Sequence, residues 1–257
     1  MELACAPVAG ARQVAVFDLA SSRQVCLVDV EGEVVCADVF QFVAADGAHT
    51  RALASTADGR LLRWDPTAEL LPLAPDGRRR PEEMVVGSAR GAVLTTRFVG
   101  ASLAGGEHAT LLLGKADGQV VALDLASRAP LPSFELTWRG EVSLGGVSAL
   151  ELLPDAHAAA PPAVEPRLLV GYESGVIELV SLGSTVALSR ALDRIRTAGP
   201  VRALRAQLAR AALGADARVV FWAACTAADG ALCHSLGEAV VSGCLLYTSP
   251  SPRDGLL

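Results

Sequence analysis

The stretch from Ala52 to Pro66 reads ALASTADGRLLRWDP. Small residues lead into Asp58-Gly59, apolar alternation follows, and Trp64-Asp65 closes it. Glycine tolerates the positive φ of a tight turn, and the Asp side chain bonds back to the turn backbone, so the stretch predicts a β-hairpin. Whether that hairpin recurs decides the fold, because a recurring unit moves the search for function from catalytic residues to surfaces.

It recurs. Leu111 opens LLLGKADGQVVALDL, Leu168 opens LLVGYESGVIELVSL, and Phe221 opens the weaker copy FWAACTAADGALCHSL. The turn glycines Gly59, Gly118, Gly175 and Gly230 are 59, 57 and 55 residues apart. A second element precedes each hairpin: GEVVCADVF from Gly32, GAVLTTRFV from Gly91, GGVSALELL from Gly145 and GPVRALRAQ from Gly199, spaced by 59, 54 and 54 residues. A third element reads as strand, turn and outer strand in AVFDLASSRQV, RWDPTAELLPL, VALDLASRAPL and ELVSLGSTVAL. Four short antiparallel strands per period is the pattern of a propeller blade. The extra length of the period falls in 74–83, 100–108 and 154–167, read as surface loops, where closure entropy grows slowly with size.

The unit resembles the WD40 repeat. Trp64-Asp65 matches its terminal dipeptide, and Asp124 takes the Asp place without a Trp. Asp58, Asp117 and Asp229 match the Asp of the hairpin turn, where the third copy has Ser174. No Gly-His dipeptide occurs, so the blades are divergent and the His–Asp network that the resemblance implies is incomplete. The resemblance covers most of residues 10–243 and implies an all-β, WD40-like β-propeller. About four blades are visible, and they read as a C-terminally truncated fragment of a larger ring, since closed propellers have about 4–8. More narrowly, VSALELLP, RLLVGYESGVIEL and GPVRAL, followed by a long insert before VVFWAACTA, are similar in order to the N-terminal propeller of the ELYS nucleoporin family. Residues 244–257 are set apart. CLLYTSPSPRD (244–254) resembles one translated frame of a transposase sequencing adapter, so the tail is taken as non-native and the natural chain as continuing past Gly243.

Residues 201–218, VRALRAQLARAALGADAR, conflict with the repeat: Ala, Leu and Arg favour helix, whereas repeat register makes Val201–Gln207 a strand. Register is followed, because tertiary pairing overrides propensity, with 208–213 left as a short helical insert.

Composition sets the function classes. With 51% hydrophobic and 19% charged residues the 257-residue chain is globular. A net charge of −6 argues against a broad nucleic-acid surface. No apolar run approaches the roughly 20 residues that span a bilayer, and the N-terminus has no signal-peptide pattern, so membrane insertion is not expected. The six cysteines show no CxxC. Cys225, Cys233 and His234 lack a second cluster to complete a zinc site, so the thiols are expected to be free in an intracellular (cytoplasmic or nuclear) protein.

Chemistry-bearing motifs are missing. His49, His108, His157 and His234 stand without motif, and there is no H-E-x-x-H, G-x-S-x-G, P-loop or G-x-G-x-x-G. No cofactor and no metal are expected, and the Asp-Gly turns lack the several oxygen ligands that calcium needs. The run Arg190, Arg194, Arg196, Arg202, Arg205 and Arg210 reads as a solvated face of outward arginines, or as a site for an acidic partner. The leading expectation is a non-enzymatic scaffold that binds other proteins. The alternatives are an ELYS-like nuclear-pore or trafficking subunit and a propeller hydrolase, whose inner strands would offer only Asp38 and Glu151.

Overall fold

The computed structural model describes residues 2–8, 12–44, 47–69, 71, 80–84, 92–99, 110–124, 138–139, 142–153, 167–181, 190–209, 218–240 and 245–248. Among them the only helical element is a 3-10 turn at Val142–Leu144, and the strands form five sheets. The first holds three strands in order, β1 (Leu3–Pro7), β2 (Gln13–Asp18) and β3 (Arg23–Asp29). The second runs β4 (Val34–Ala44), β5 (Gly47–Thr56), β6 (Leu61–Trp64), β7 (Glu82–Met84). The third runs β8 (Val93–Val99), β9 (Thr110–Lys115), β10 (Gln119–Asp124), β11 (Trp138–Arg139). The fourth runs β12 (Val147–Leu152), β13 (Arg167–Tyr172), β14 (Val176–Ser181), β15 (Arg190–Arg196). The fifth runs β16 (Val201–Ala209), β17 (Arg218–Thr226), β18 (Leu232–Val240), β19 (Leu245–Thr248). In each sheet the strands lie in chain order, joined to sequence neighbours.

The strand type follows from side-chain pattern. LLLGK in β9, RLLVGY in β13 and VIELVS in β14 are near-continuous apolar runs, and β9 and β14 are buried at every position. Such runs suit strands covered on both faces. By contrast, β3 carries RQVCLVD and is mostly exposed.

Contacts divide the chain into two compact units, Met1–Leu113 with Leu123–Leu131, and Gly114–Ala122 with Pro132–Leu257. In the first, Val14, Val16, Val28 and Val30 of the first sheet region pack with Ala52, Ala54, Leu62 and Trp64 of the second. In the second, Ala149, Leu169, Ile177 and Leu179 pack with Val201, Leu204, Phe221 and Ala223. Each large side chain so buried contributes about 1.5–3 kcal/mol, against about 0.5–1.5 for a typical hydrogen bond. Packing therefore holds sheet to sheet, and polar contacts set register.

One buried polar group illustrates that second role. Glu178 of β14 is buried, accepts a hydrogen bond from the Tyr172 hydroxyl at 2.7 Å, and receives both Nε (3.1 Å) and Nη2 (2.6 Å) of Arg194. Glu178 and Arg194 are register partners, so the fork clamps β15 onto β14.

Several expectations need correction. Val201–Ala209 is strand throughout, so Leu208 and Ala209 do not begin a helix; positions 210–213 lie outside the described residues. Backbone pairing to β17 overrides the helical propensity. The fourth strands lie later than the third-element pattern placed them. β7 is Glu82–Met84, inside what was read as the loop 74–83, and Glu82 bonds Arg63 at 2.5 Å from the facing strand. β15 starts at Arg190, past the expected STVAL. β1 was not foreseen. Leu245–Thr248, in the stretch set apart on sequence, pairs with Gly237–Val240 as β19.

Tight contacts between glycines join the sheets of the second unit. Gly175 turns the β13–β14 hairpin with φ +80°, and a Cβ there would meet the Gly199 carbonyl oxygen at 2.6 Å. A Cβ on Gly199 would in turn lie 1.9 Å from the Thr226 carbonyl oxygen. Gly199→Ala is therefore expected to cost about 3 kcal/mol in urea unfolding. Gly230→Ala, where an added Cβ meets nothing within 4 Å, should cost only the about 1–2 kcal/mol of a left-handed residue. Equal losses would refute the packing argument. Tyr172→Phe is expected to lose about 1.5–3 kcal/mol, the range for a hydrogen bond to a charged group. Arg194→Ala should lose at least as much, since it strands the Glu178 carboxylate; near-neutral effects of both on the urea midpoint would show that the cluster is not structural.

Candidate interaction surface

The repeat residues occupy the hairpin ends. Gly59, Gly118, Gly175 and Gly230 have φ of +90°, +80°, +80° and +83°. Their amides donate to Thr56, Lys115, Tyr172 and Ala227 carbonyls at 2.9, 3.1, 3.0 and 2.9 Å. Asp58 accepts a short hydrogen bond from the Thr56 hydroxyl and another from Arg60 Nε at 2.9 Å. The Thr56 bond first, then Arg60, hold its carboxyl below the ordinary value. Asp117 accepts from the Gln119 amide at 3.3 Å and Asp229 from the Ala231 amide at 2.9 Å. Ser174 is exposed, and its amide donates to the Leu144 carbonyl at 3.2 Å.

Trp64 is buried in the core of the first unit, while Asp65 beside it accepts from the Thr67 amide (2.9 Å), the Thr67 hydroxyl (2.6 Å) and Arg51 Nη1 (2.9 Å). Burial works against the Asp65 charge, but the Thr67 and Arg51 contacts outweigh it and the carboxyl stays below its ordinary value. Asp124 ends β10. These groups fix turns and strand ends.

The six arginines divide between two strands. Arg190, Arg194 and Arg196 stand on β15, the fourth strand of one sheet, whereas Arg202 and Arg205 stand on β16, the first strand of the next. Arg194 is held by Glu178. Arg205 lies 3.5 Å from Glu151, and Arg202 Nε donates to the Thr226 hydroxyl at 3.0 Å. Arg196 is exposed. Arg210 lies outside the described residues.

The inner-strand carboxylates are tied across sheets. Asp38 accepts from the Thr96 hydroxyl at 2.8 Å, and Glu151 accepts from the Ala206 amide at 3.2 Å. Among the described residues no group of three or more His, Cys, Asp and Glu could hold a metal, and no helix is long and apolar enough to cross a membrane.

Sequence reading did not single out one face of the fifth sheet. On β17, Phe221, Ala223 and Cys225 are buried, so Trp222 points the other way and is 40% exposed. Its register partners are Arg205 on β16 and Leu236 on β18, itself 49% exposed. Two positions along, Thr226 faces Leu232, 63% exposed, and carries the bond from Arg202. An apolar row with arginines on its β16 side thus lies open to solvent. The signal available in the sequence was a Trp at the outward phase of FWAACT.

No family model matches the chain, and no curated protein matches it. Among solved structures, a crystal structure of the mitotic checkpoint complex matches with a TM-score of 0.56 and 14% identity, over 94% of this chain and 58% of that one. The crystal structure of Saccharomyces cerevisiae Sqt1, a WD40 protein, matches with a TM-score of 0.53 and 9% identity, over 91% of this chain and 55% of that one. This chain therefore spans between 55% and 58% of the solved chains it matches. At such identities the likeness concerns the fold, and that fold is the WD40-like β-propeller.

Proposed function

We propose that this chain is a non-enzymatic scaffold that binds other proteins, and that the outward face of the fifth sheet is its contact surface. The WD40-like fold supports a protein-interaction role in general terms. The observation that carries the reading is the row Arg205, Trp222, Leu236, with Arg202 and Leu232 beside it, on a sheet whose other face is packed. Exposed aromatic and arginine side chains side by side are the residue types that anchor interfaces. The matching partner presents an apolar segment flanked by carboxylates. A catalytic reading is less well supported, because Asp38, Glu151 and Glu178 are spent on contacts to Thr96, to Ala206 with Arg205, and to Tyr172 with Arg194. Nothing in the comparisons favours the narrower ELYS-like role.

Affinity purification of the tagged chain from the cells that express it tests this. Wild-type protein is expected to retain a partner in stoichiometric amount. Trp222→Ser with Leu236→Ser should weaken that binding roughly 30-fold, the scale of a hot-spot loss, and leave the thermal midpoint within about 2 °C. Arg202→Glu should weaken it too. The reading is overturned if the chain elutes alone at its own 26.5 kDa, or if the double variant keeps the same partner at the same affinity.

A further inference from the structure

Cys225 on β17 and Cys233 on β18 are register partners across the hairpin that turns at Asp229-Gly230. Their Sγ atoms stand 2.7 Å apart. Each sulfur also faces the other residue's carbonyl oxygen, at 3.6 Å for Cys225 Sγ and 3.3 Å for Cys233 Sγ. Directly opposed residues in an antiparallel pair have Cα atoms about 4.5 or 5.5 Å apart. Both values lie within the about 4.4–6.8 Å that a disulfide spans, and the bond itself measures about 2.05 Å. Closure therefore needs a small sulfur movement and no change of strand register.

We propose that Cys225 and Cys233 are a redox-active thiol pair, which a low-molecular-weight disulfide of the glutathione class converts into an intramolecular cross-strand disulfide. Cys225 is buried and Cys233 half-buried, so the oxidant enters at Cys233. The Cys233 thiolate attacks one sulfur of oxidised glutathione, forms a mixed disulfide and releases one glutathione thiolate. Cys225, having given up its proton, attacks the Cys233 sulfur and expels the second glutathione thiolate. Two protein thiols are oxidised, one glutathione disulfide is reduced to two thiols, and the two protons pass to the released glutathione.

The other described cysteines make the pair distinctive. Burial, then the charge of Asp38, pushes the Cys5 thiol up to about 12 and the Cys36 thiol up to about 11. Burial also raises Cys26, against the Trp64 hydrogen bond. Thiols held so high supply little of the nucleophilic thiolate. Cys233 is raised as well, first by its hydrogen bond with Cys225 and then by burial, which makes entry of the oxidant the slow step. What distinguishes Cys233 is a second sulfur already in place to resolve the mixed disulfide.

Asp229 is the single aspartate between the two cysteines, so cleavage on its amino side separates them. The purified full chain is incubated across a series of oxidised-to-reduced glutathione ratios, alkylated under denaturing conditions, cleaved and weighed. The expected product is one Cys225–Cys233 cross-linked peptide pair, lighter by about 2 Da than its reduced parts. It should grow with the ratio and be lost on reduction, while Cys5, Cys26 and Cys36 remain alkylated. Cys225→Ser should trap glutathione on Cys233. The wild-type arm decides the matter even if that variant misfolds. Full alkylation of both cysteines at every ratio, a Cys233 mixed disulfide that persists in wild type, or linkage of either cysteine to Cys244 would overturn the proposal.

Discussion

Within the second unit, successive sheets approach each other through glycine backbone, and the rest of the repeat is arranged around that approach. A Cβ on Gly118, at the third sheet's hairpin turn, would lie 3.2 Å from the Gly145 carbonyl oxygen, and one on Gly175 would lie 2.6 Å from that of Gly199. Gly145 and Gly199 are the residues that lead into β12 and β16. Each hairpin tip therefore rests on the backbone entering the following sheet. The turn needs positive φ and the contact needs a missing side chain, and glycine meets both demands at once. With tip and entry fixed, the apolar faces between them come into register, so Leu169, Ile177 and Leu179 find Val201, Leu204 and Phe221. The same economy explains why loop lengths vary while the glycine spacing stays between 54 and 59 residues.

A second repeating feature lies on the first strands. Six residues after Gly32, Gly91, Gly145 and Gly199 come Asp38, Arg97, Glu151 and Arg205. Acid and base alternate at one register position of successive first strands. In the first unit Asp38 reaches Thr96 of the following sheet; in the second, Glu151 reaches the Ala206 amide and Arg205. Ser148 adds a bond to the Val201 carbonyl at 2.6 Å, and Ser55 bonds the Val93 carbonyl. Paired this way, a carboxylate on a first strand ties one sheet to the next, which apolar packing alone would leave free to slide. The residues that looked like the raw material of a catalytic channel are used as fasteners.

How much of this was legible follows from the range of the forces involved. Hairpins were readable because their determinants are local: Asp58-Gly59 or Ser174-Gly175 specifies its own turn. First strands were readable because each begins at a glycine a fixed distance from the last. The fourth strands were not, because β7 is only Glu82–Met84 and β11 only Trp138–Arg139. Such short strands carry no period of their own and are selected by the edge they pair with, as Glu82 is by Arg63. The same holds for β16, where helix-forming residues become strand because β17 offers a full ladder of partners. The arginine run was contiguous in sequence but divides between two sheets, since the chain leaves the fourth sheet at Arg196 and enters the fifth at Val201. Trp222 was overlooked because its meaning depends on phase: it is the outward residue between the buried Phe221 and Ala223.

That phase links fold to function. A module of this kind has two faces and can be buried on both only by neighbours, as β6, β9 and β14 are. In the described residues the large exposed apolar side chains concentrate on the first sheet, at Phe17, Val25 and Leu27, and on the fifth, at Trp222, Leu232 and Leu236. The two sets differ in what surrounds them. Beside Trp222 and Leu232 stand Arg205 and Arg202 on the facing strand, so an apolar partner alone would leave guanidinium groups facing a surface that does not pair with them. A surface carrying both an apolar anchor and carboxylates satisfies the whole face, and burying its charges costs least where each meets an arginine fork. The repeat that makes the sheets rigid thus also leaves, at the fifth of them, a face whose chemistry specifies its partner.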